Sequence, residues 1–75
     1  MFAYVLVSLA EPVEEEVLDT FLEYDPIKDG HILFGEWDII LKVEGESNEA
    51  IAQFVIDKIR SDEAVHLTST MIVAK

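Results

Sequence analysis

Four short segments of the chain carry the apolar residues typical of strands. They are rich in aromatic and β-branched residues or alternate apolar with polar positions, and turn-forming residues lie between them. The first has apolar residues at nearly every position, which is typical of a strand buried on both faces. The predicted strands run from Phe2 to Leu9, His31 to Phe34, Trp37 to Val43 and Val65 to Val73.

Two segments between these strands repeat apolar residues at helical spacing. The first is predicted to begin with Pro12 in its opening turn and to break at Asp25-Pro26, with Asp29-Gly30 as a turn into the next strand. Ser47 is predicted to cap the second helix. The apolar stripes are Val13, Val17, Leu18, Phe21 and Leu22 in the first helix, and Ile51, Ala52, Val55, Ile56 and Ile59 in the second.

The order strand, helix, strand, strand, helix, strand predicts an α+β fold of the ferredoxin-like βαββαβ type, as a single domain over residues 1–75. In this fold a four-stranded antiparallel sheet carries both helices on one face. Phe2, Tyr4 and Leu6 would then lie on the open face of a central strand. Leaving such side chains in water forgoes roughly 1.5–3 kcal/mol each, so a homodimer that packs sheet against sheet is predicted.

Composition limits the kinds of partner and site that the chain can have. Five Lys and Arg against 16 Asp and Glu give a formal charge of −11, which disfavours direct binding of nucleic acid or anionic membranes. The absence of cysteine excludes disulfides and thiolate metal sites. No signal peptide or membrane-length apolar run is present, so a cytoplasmic protein is expected.

Two motifs resemble the effector-binding domain of Lrp/AsnC transcription regulators, also called the RAM domain. The first is Gly35-Glu36-Trp37-Asp38 followed by two isoleucines, where that family has a Gly, any residue, an aromatic and an Asp. The second is Val65 to Val73, which is similar to the family's closing strand with Thr-x-Thr and an aliphatic end. The chain departs from the family at Phe34, where a small polar residue is common, and at Ala64, where Gly is common.

The resemblance implies a sensor of a small effector, an amino acid by expectation, and not an enzyme. Full-length members place a helix-turn-helix DNA-binding domain ahead of this module, and such a domain is not expected here. The implied action is modulation of transcription through assembly with itself, as a dimer or a larger oligomer such as an octamer, or with full-length regulators. No cofactor or metal is implied.

An effector site at a subunit boundary is also implied by the resemblance. Asp38 would accept hydrogen bonds from the ammonium group of an amino acid, while hydroxyl groups of the last strand would donate to its carboxylate. Gly35 would let the backbone approach the ligand, and Trp37 would line the pocket or fill the core. The predicted ligand-binding residues are Gly35, Glu36, Trp37, Asp38, Thr68, Ser69 and Thr70.

Plainer roles and other functions stay open at this point. Asp38 and Gly35 also suit a simple turn, and Thr68 and Thr70 are common strand residues. A small dimeric ferredoxin-like enzyme would use His31 with Glu36 or Asp38, although no nucleophile paired with a base is evident. A purely structural assembly partner is the third alternative. His66 has no partner at metal-ligand spacing, and the run from Glu14 to Glu16 reads as a solvated helix start.

Overall fold

The first strand of the chain lies at the centre of the fold. A computed structural model, which describes all of residues 1–75, contains one four-stranded antiparallel sheet with strand order β2-β3-β1-β4. The predicted βαββαβ order and the central position of the first strand are confirmed, and the third strand is the other central one. The elements are β1 (Phe2–Leu9), α1 (Glu14–Leu22), β2 (Ile27–Ile32), β3 (Ile39–Glu44), α2 (Asn48–Phe54) with a π-helical turn (Val55–Ile59), and β4 (Val65–Ile72).

The hydrophobic core lies between the sheet and the two helices. Alternate residues of β1 and β3 point into it, as the two-residue period of a strand requires. Both predicted helical stripes supply the other side, but the prediction is wrong for Leu22, Ala52 and Ile56, which are exposed at the margins of the stripes. The twelve buried side chains are Ala3, Val5, Val7, Val17, Phe21, Ile27, Ile39, Leu41, Val43, Ile51, Val55 and Ile59.

The predicted start is correct for the second helix and wrong for the first. Ser47 caps α2 as predicted, because its Oγ accepts a hydrogen bond from the Ala50 N–H at 3.1 Å. The prediction that Pro12 occupies the first turn of α1 is wrong. The Val13 N–H donates to the Glu11 carbonyl oxygen at 2.9 Å, and this tight turn delays the helix until Glu14.

Strand β2 begins earlier than predicted. Asp29 and Gly30, expected to form a turn, pair with Lys42 and Leu41 inside the strand, after an irregularity between Ile27 and Asp29. The reason is the close approach of α1. A Cβ at Gly30 would lie only 2.8 Å from the Leu18 Cδ1 atom, so a strand residue without a side chain is needed where the helix crosses.

The connection from β2 to β3 is longer than predicted. Leu33 and Phe34, expected in β2, and Trp37 and Asp38, expected in β3, all belong to the loop between Ile32 and Ile39. The Leu33 N–H donates to the Asp38 carbonyl oxygen at 2.8 Å and closes this loop. Strands β2 and β3 pair as an antiparallel hairpin, and a six-residue loop joins them where the predicted strands left only Gly35 and Glu36.

Strand β4 contains a bulge near its start. Ser8 pairs with Leu67 whereas Leu9 pairs with Val65, so His66 is an extra residue on β4. Val65 therefore packs against the core, while Leu67 lies on the open face of the sheet. Alternation along a regular strand predicts that Val65 and Leu67 share one face, and the bulge makes this prediction wrong.

The face of the sheet away from the helices carries six apolar side chains, most of them on β1 and β4, beside polar residues that include Asp29, His31 and Lys42. Phe2, Tyr4 and Leu6 point outward from β1, as predicted, and alternate with the fully buried residues of that strand. Leu67 and Met71 of β4 extend this surface. We call the side chains of Phe2, Tyr4, Leu6, Ile40, Leu67 and Met71 the open face.

Neither helix has the length and apolar character of a membrane-spanning segment.

Two isoleucines of the π-helical turn, Ile56 and Ile59, differ in burial and so provide a test of the core packing. Ile59 is fully buried, whereas Ile56 is 50% exposed. Ile59→Ala is expected to lower the free energy of unfolding by about 2–5 kcal/mol, because it leaves a cavity in the core. Ile56→Ala, the matched control, should cost less than about 1 kcal/mol in urea-induced unfolding. Equal losses for the two variants would contradict this packing.

Candidate functional site

The loop between β2 and β3 is attached to the end of β1 through Asp38. The Asp38 Oδ2 atom accepts a hydrogen bond from the Leu9 N–H at 2.7 Å. The Asp38 N–H donates to the Val7 carbonyl oxygen at 2.9 Å. Asp38 thus positions the loop through both its backbone and its side chain. Its partner Leu9 is 29 residues away in the sequence, so these bonds are not those of a local turn.

Gly35 is required by the backbone conformation of this loop. Its φ of +152° lies in the region that residues with a side chain rarely adopt, while no atom lies within 4 Å of where a Cβ would stand. Conformation, and not lack of space, therefore explains the glycine. The open surroundings also leave the backbone at Gly35 accessible to a ligand.

A cleft of ≈ 600 Å³ lies between this loop and the start of α1, and we call it the turn cleft. Three of its lining residues are acidic, namely Glu14, Glu15 and Asp38. The sequence indicated only a solvated helix start for the two glutamates. No sequence pattern links them to the loop, because only the packing of α1 beside β2 brings them to this cleft. The full lining is Glu14, Glu15, Ile32, Leu33, Phe34, Gly35 and Asp38.

The predicted turn residues divide into two groups. Gly35 and Asp38 line the turn cleft, whereas Glu36 and Trp37 do not. Glu36 is exposed and Trp37 is partly buried. Phe34, which was noted only as a departure from the family pattern, lines the cleft with its side chain fully exposed. The loop therefore contributes an exposed aromatic residue to a cleft that three acidic residues also line.

The polar residues of β4 do not share one face. Thr68 and Thr70 pair with Val7 and Val5 on the helix side of the sheet, whereas Ser69 pairs with Leu6 on the open face. Thr68 lines a second cleft of ≈ 330 Å³, which we call the β4 cleft. Its lining is Arg60, Val65, His66, Leu67 and Thr68. Arg60 was not predicted as a site residue, since nothing in the sequence connects the end of a helix to this strand.

Within one subunit the turn cleft and the β4 cleft lie on opposite sides of β1. Val7 pairs with Ile39 on one side and with Thr68 on the other. The two flanking strands are thus two strand spacings apart, about 9.5 Å. The structure therefore does not bring Asp38 and Thr68 together in a single pocket of one chain.

The residues proposed for an enzymatic alternative are also apart. The His31 Nε2 atom lies 3.1 Å from Asp29 Oδ2 on an exposed part of the sheet, whereas the Asp38 carboxylate is bonded to the Leu9 N–H. No group of three or more His, Asp or Glu side chains is arranged to hold a metal ion. His31 is thus paired with Asp29, and not with Glu36 or Asp38 as that alternative required.

Comparison with known proteins gives a consistent family. Residues 2–75 match the family described as Lrp/AsnC ligand binding domain. An HTH-type transcriptional regulator of Pyrococcus furiosus is 36% identical over 59 residues, which is 79% of this chain and 39% of that protein. The regulator FL11 of Pyrococcus abyssi is 29% identical over 75 residues, or 49% of its length. The chain thus spans half or less of these relatives.

Solved structures resemble the fold closely. The structure of FFRP-DM1 superposes with a TM-score of 0.90 at 35% identity, covering 96% of this chain and 96% of that one. A transcriptional regulator of Neisseria meningitidis, solved in complex with L-Met, gives a TM-score of 0.86 at 22% identity, covering 99% of this chain and 49% of that chain. At 22% identity, the similarity to the Neisseria meningitidis regulator shows a shared fold only.

The role of Asp38 in holding the loop can be tested separately from any ligand. Asp38→Ala leaves the partly buried Leu9 N–H without its acceptor, so the free energy of unfolding should fall by about 1–3 kcal/mol. Asp38→Asn keeps a carbonyl oxygen that can accept the same bond, and it should lose less than half as much. Chemical unfolding of both variants measures this difference. Equal stability of Asp38→Ala and the unmodified chain would contradict the anchoring role.

Proposed function

Since this chain belongs to the Lrp/AsnC ligand-binding domain family, we propose that it senses an amino acid bound between subunits and modulates transcription through assembly. Assembly takes place with further copies of the chain or with full-length regulators. The relatives that match it are transcriptional regulators. The observation that carries the proposal is the turn cleft, which is lined both by Asp38, anchored to the Leu9 N–H, and by Gly35.

The turn cleft suits the ammonium group of an amino acid. Asp38 is oriented by the Leu9 N–H at 2.7 Å, so its second carboxylate oxygen can accept from a ligand without a large loss of side-chain entropy. Glu14 and Glu15 add negative charge to the same wall. A positively charged group is therefore favoured over a neutral one of similar size. The complex of the Neisseria meningitidis regulator with L-Met supports amino acids as the class to test first.

The position of the hydroxyl groups supports a site shared by two subunits. Thr68, proposed to donate to the carboxylate of the effector, faces a cleft on the far side of β1 from Asp38. A ligand that contacts both kinds of group is most simply held by the turn cleft of one subunit and β4 of another. Binding would then depend on assembly, and assembly on binding, as linkage requires.

A screen of the twenty amino acids tests the sensing proposal. At least one is expected to raise the melting temperature. A ligand at one hundred times its Kd raises the free energy of unfolding by about 2.7 kcal/mol. Asp38→Asn is expected to abolish this rise while keeping the fold. Asp19→Asn removes the same charge at an exposed position of α1 and serves as the control.

Two outcomes would contradict the sensing role. One is the absence of a rise with any amino acid at millimolar concentration. The other is an equal rise for the unmodified chain and Asp38→Asn. In the first case a dimer that forms without a ligand would favour the structural assembly role, for which the open face is the supporting observation.

The proposed dimer packs two open faces against each other. Tyr4, Leu67 and Met71 are 38%, 55% and 46% exposed in the single subunit, so apolar area is available for burial. Leu6→Asp would place a charge within this surface and should shift the chain from dimer to monomer in sedimentation equilibrium. Ile56→Asp makes the same change on a helix, on the other side of the sheet, and should leave the dimer intact. A monomeric unmodified chain at micromolar concentration would overturn the dimer.

A further inference from the structure

Two departures from regular secondary structure meet at the β4 cleft. The π-helical turn ends beside it, where the Arg60 N–H donates to the Val55 carbonyl oxygen at 2.8 Å. The bulge in β4 places the extra residue His66 on the opposite side of the same cleft. Such irregularities cost regular hydrogen bonding and are frequent next to binding sites, because they redirect side chains. Here each one brings a potential hydrogen-bond donor to the cleft.

Arg60 and His66 have no partner within the subunit. The one ion pair of the chain joins His31 to Asp29, and no side-chain hydrogen bond involves Arg60 or His66. This is unexpected in a chain with 16 acidic residues, any of which a free guanidinium would attract. By contrast, the neighbouring cation Lys58 lies 5.9 Å from the centre of the Tyr24 ring.

The lining of the β4 cleft therefore has donor groups and no acidic side chain. It is lined by Arg60, His66 and Thr68, whose side chains carry a guanidinium group, an imidazole and a hydroxyl group. The turn cleft has the opposite character, with three carboxylates. The two clefts thus match the two charged ends of an amino acid, one cleft for each end.

We infer that the β4 cleft is a carboxylate-binding subsite in which Arg60 and His66 join Thr68 as ligand-binding residues. The inference rests on the proposed function for the identity of the ligand, the carboxylate of an amino-acid effector. A guanidinium group pairs with a carboxylate through two parallel hydrogen bonds. A single arginine in a chain of charge −11 favours a singly charged anion over phosphate, which carries more charge and meets more repulsion.

NMR titrations with propionate, propionamide and inorganic phosphate test the subsite without requiring the true effector. Propionate is expected to shift the signals of the Arg60 Nε–H and the His66 imidazole, whereas propionamide of the same shape should not. Arg60→Gln should weaken propionate binding about tenfold or more, because a charge-assisted hydrogen bond is lost. Thr68→Val should weaken it by a smaller factor.

Lys58→Gln is the matched control, since it removes one positive charge from the same helical turn but lies outside the cleft lining. It should leave the affinity within about twofold. The inference is overturned if propionate leaves both signals unchanged, if Lys58→Gln weakens binding as much as Arg60→Gln, or if phosphate binds as tightly as propionate.

The two proposals can fail separately. A thermal response to an amino acid that persists in Arg60→Gln, together with no propionate binding, removes the subsite and keeps the sensing role. Propionate binding that depends on Arg60, in a chain that no amino acid stabilises, supports the subsite and removes the sensing role.

Discussion

The structure depends on a central strand that is apolar on both faces. Ala3, Val5 and Val7 of β1 are fully buried under the helices, and hydrogen bonds to β3 and β4 occupy both of its edges. Burial of apolar side chains is the main favourable term in folding, and these three belong to the twelve-residue core. The same strand carries Phe2, Tyr4 and Leu6 outward, so the element that stabilises the subunit also creates its apolar surface. Folding and the proposed dimer share one cause.

The candidate site is organised around the end of the same strand. Val7 and Leu9 hold Asp38 through backbone groups on one side, and Val7 pairs with Thr68 on the other. The two clefts therefore sit on a rigid element, although loop residues line one of them. Holding polar groups on a packed scaffold reduces the entropy lost on binding a small molecule. Their opposite charge gives an amino acid a defined orientation between subunits in the proposed arrangement.

Errors in the predicted strands arose where local signals competed with packing. Asp29-Gly30 has the composition of a turn, yet the pair lies in β2, because the crossing of α1 leaves no room for a side chain at Gly30. Trp37 has a strand-like neighbourhood, yet the Asp38 carboxylate bonds to β1 and keeps both residues in the loop. In each case a contact between distant segments decided the conformation. The sequence identified Gly35 and Asp38 as candidate ligand-binding residues. It could not show which cleft they line.

The sequence alone determined the order of elements, most of the buried positions of both helices and the outward position of Phe2, Tyr4 and Leu6. It could do so because the periods of strands and helices are local properties that a run of residues already contains. Only the tertiary structure decided which polar groups share a cleft. Glu14 and Glu15 join Asp38, and Arg60 joins His66 and Thr68, through the crossing of α1, the π-helical turn and the bulge in β4. These arrangements follow from packing between segments far apart in the chain, which no local pattern records.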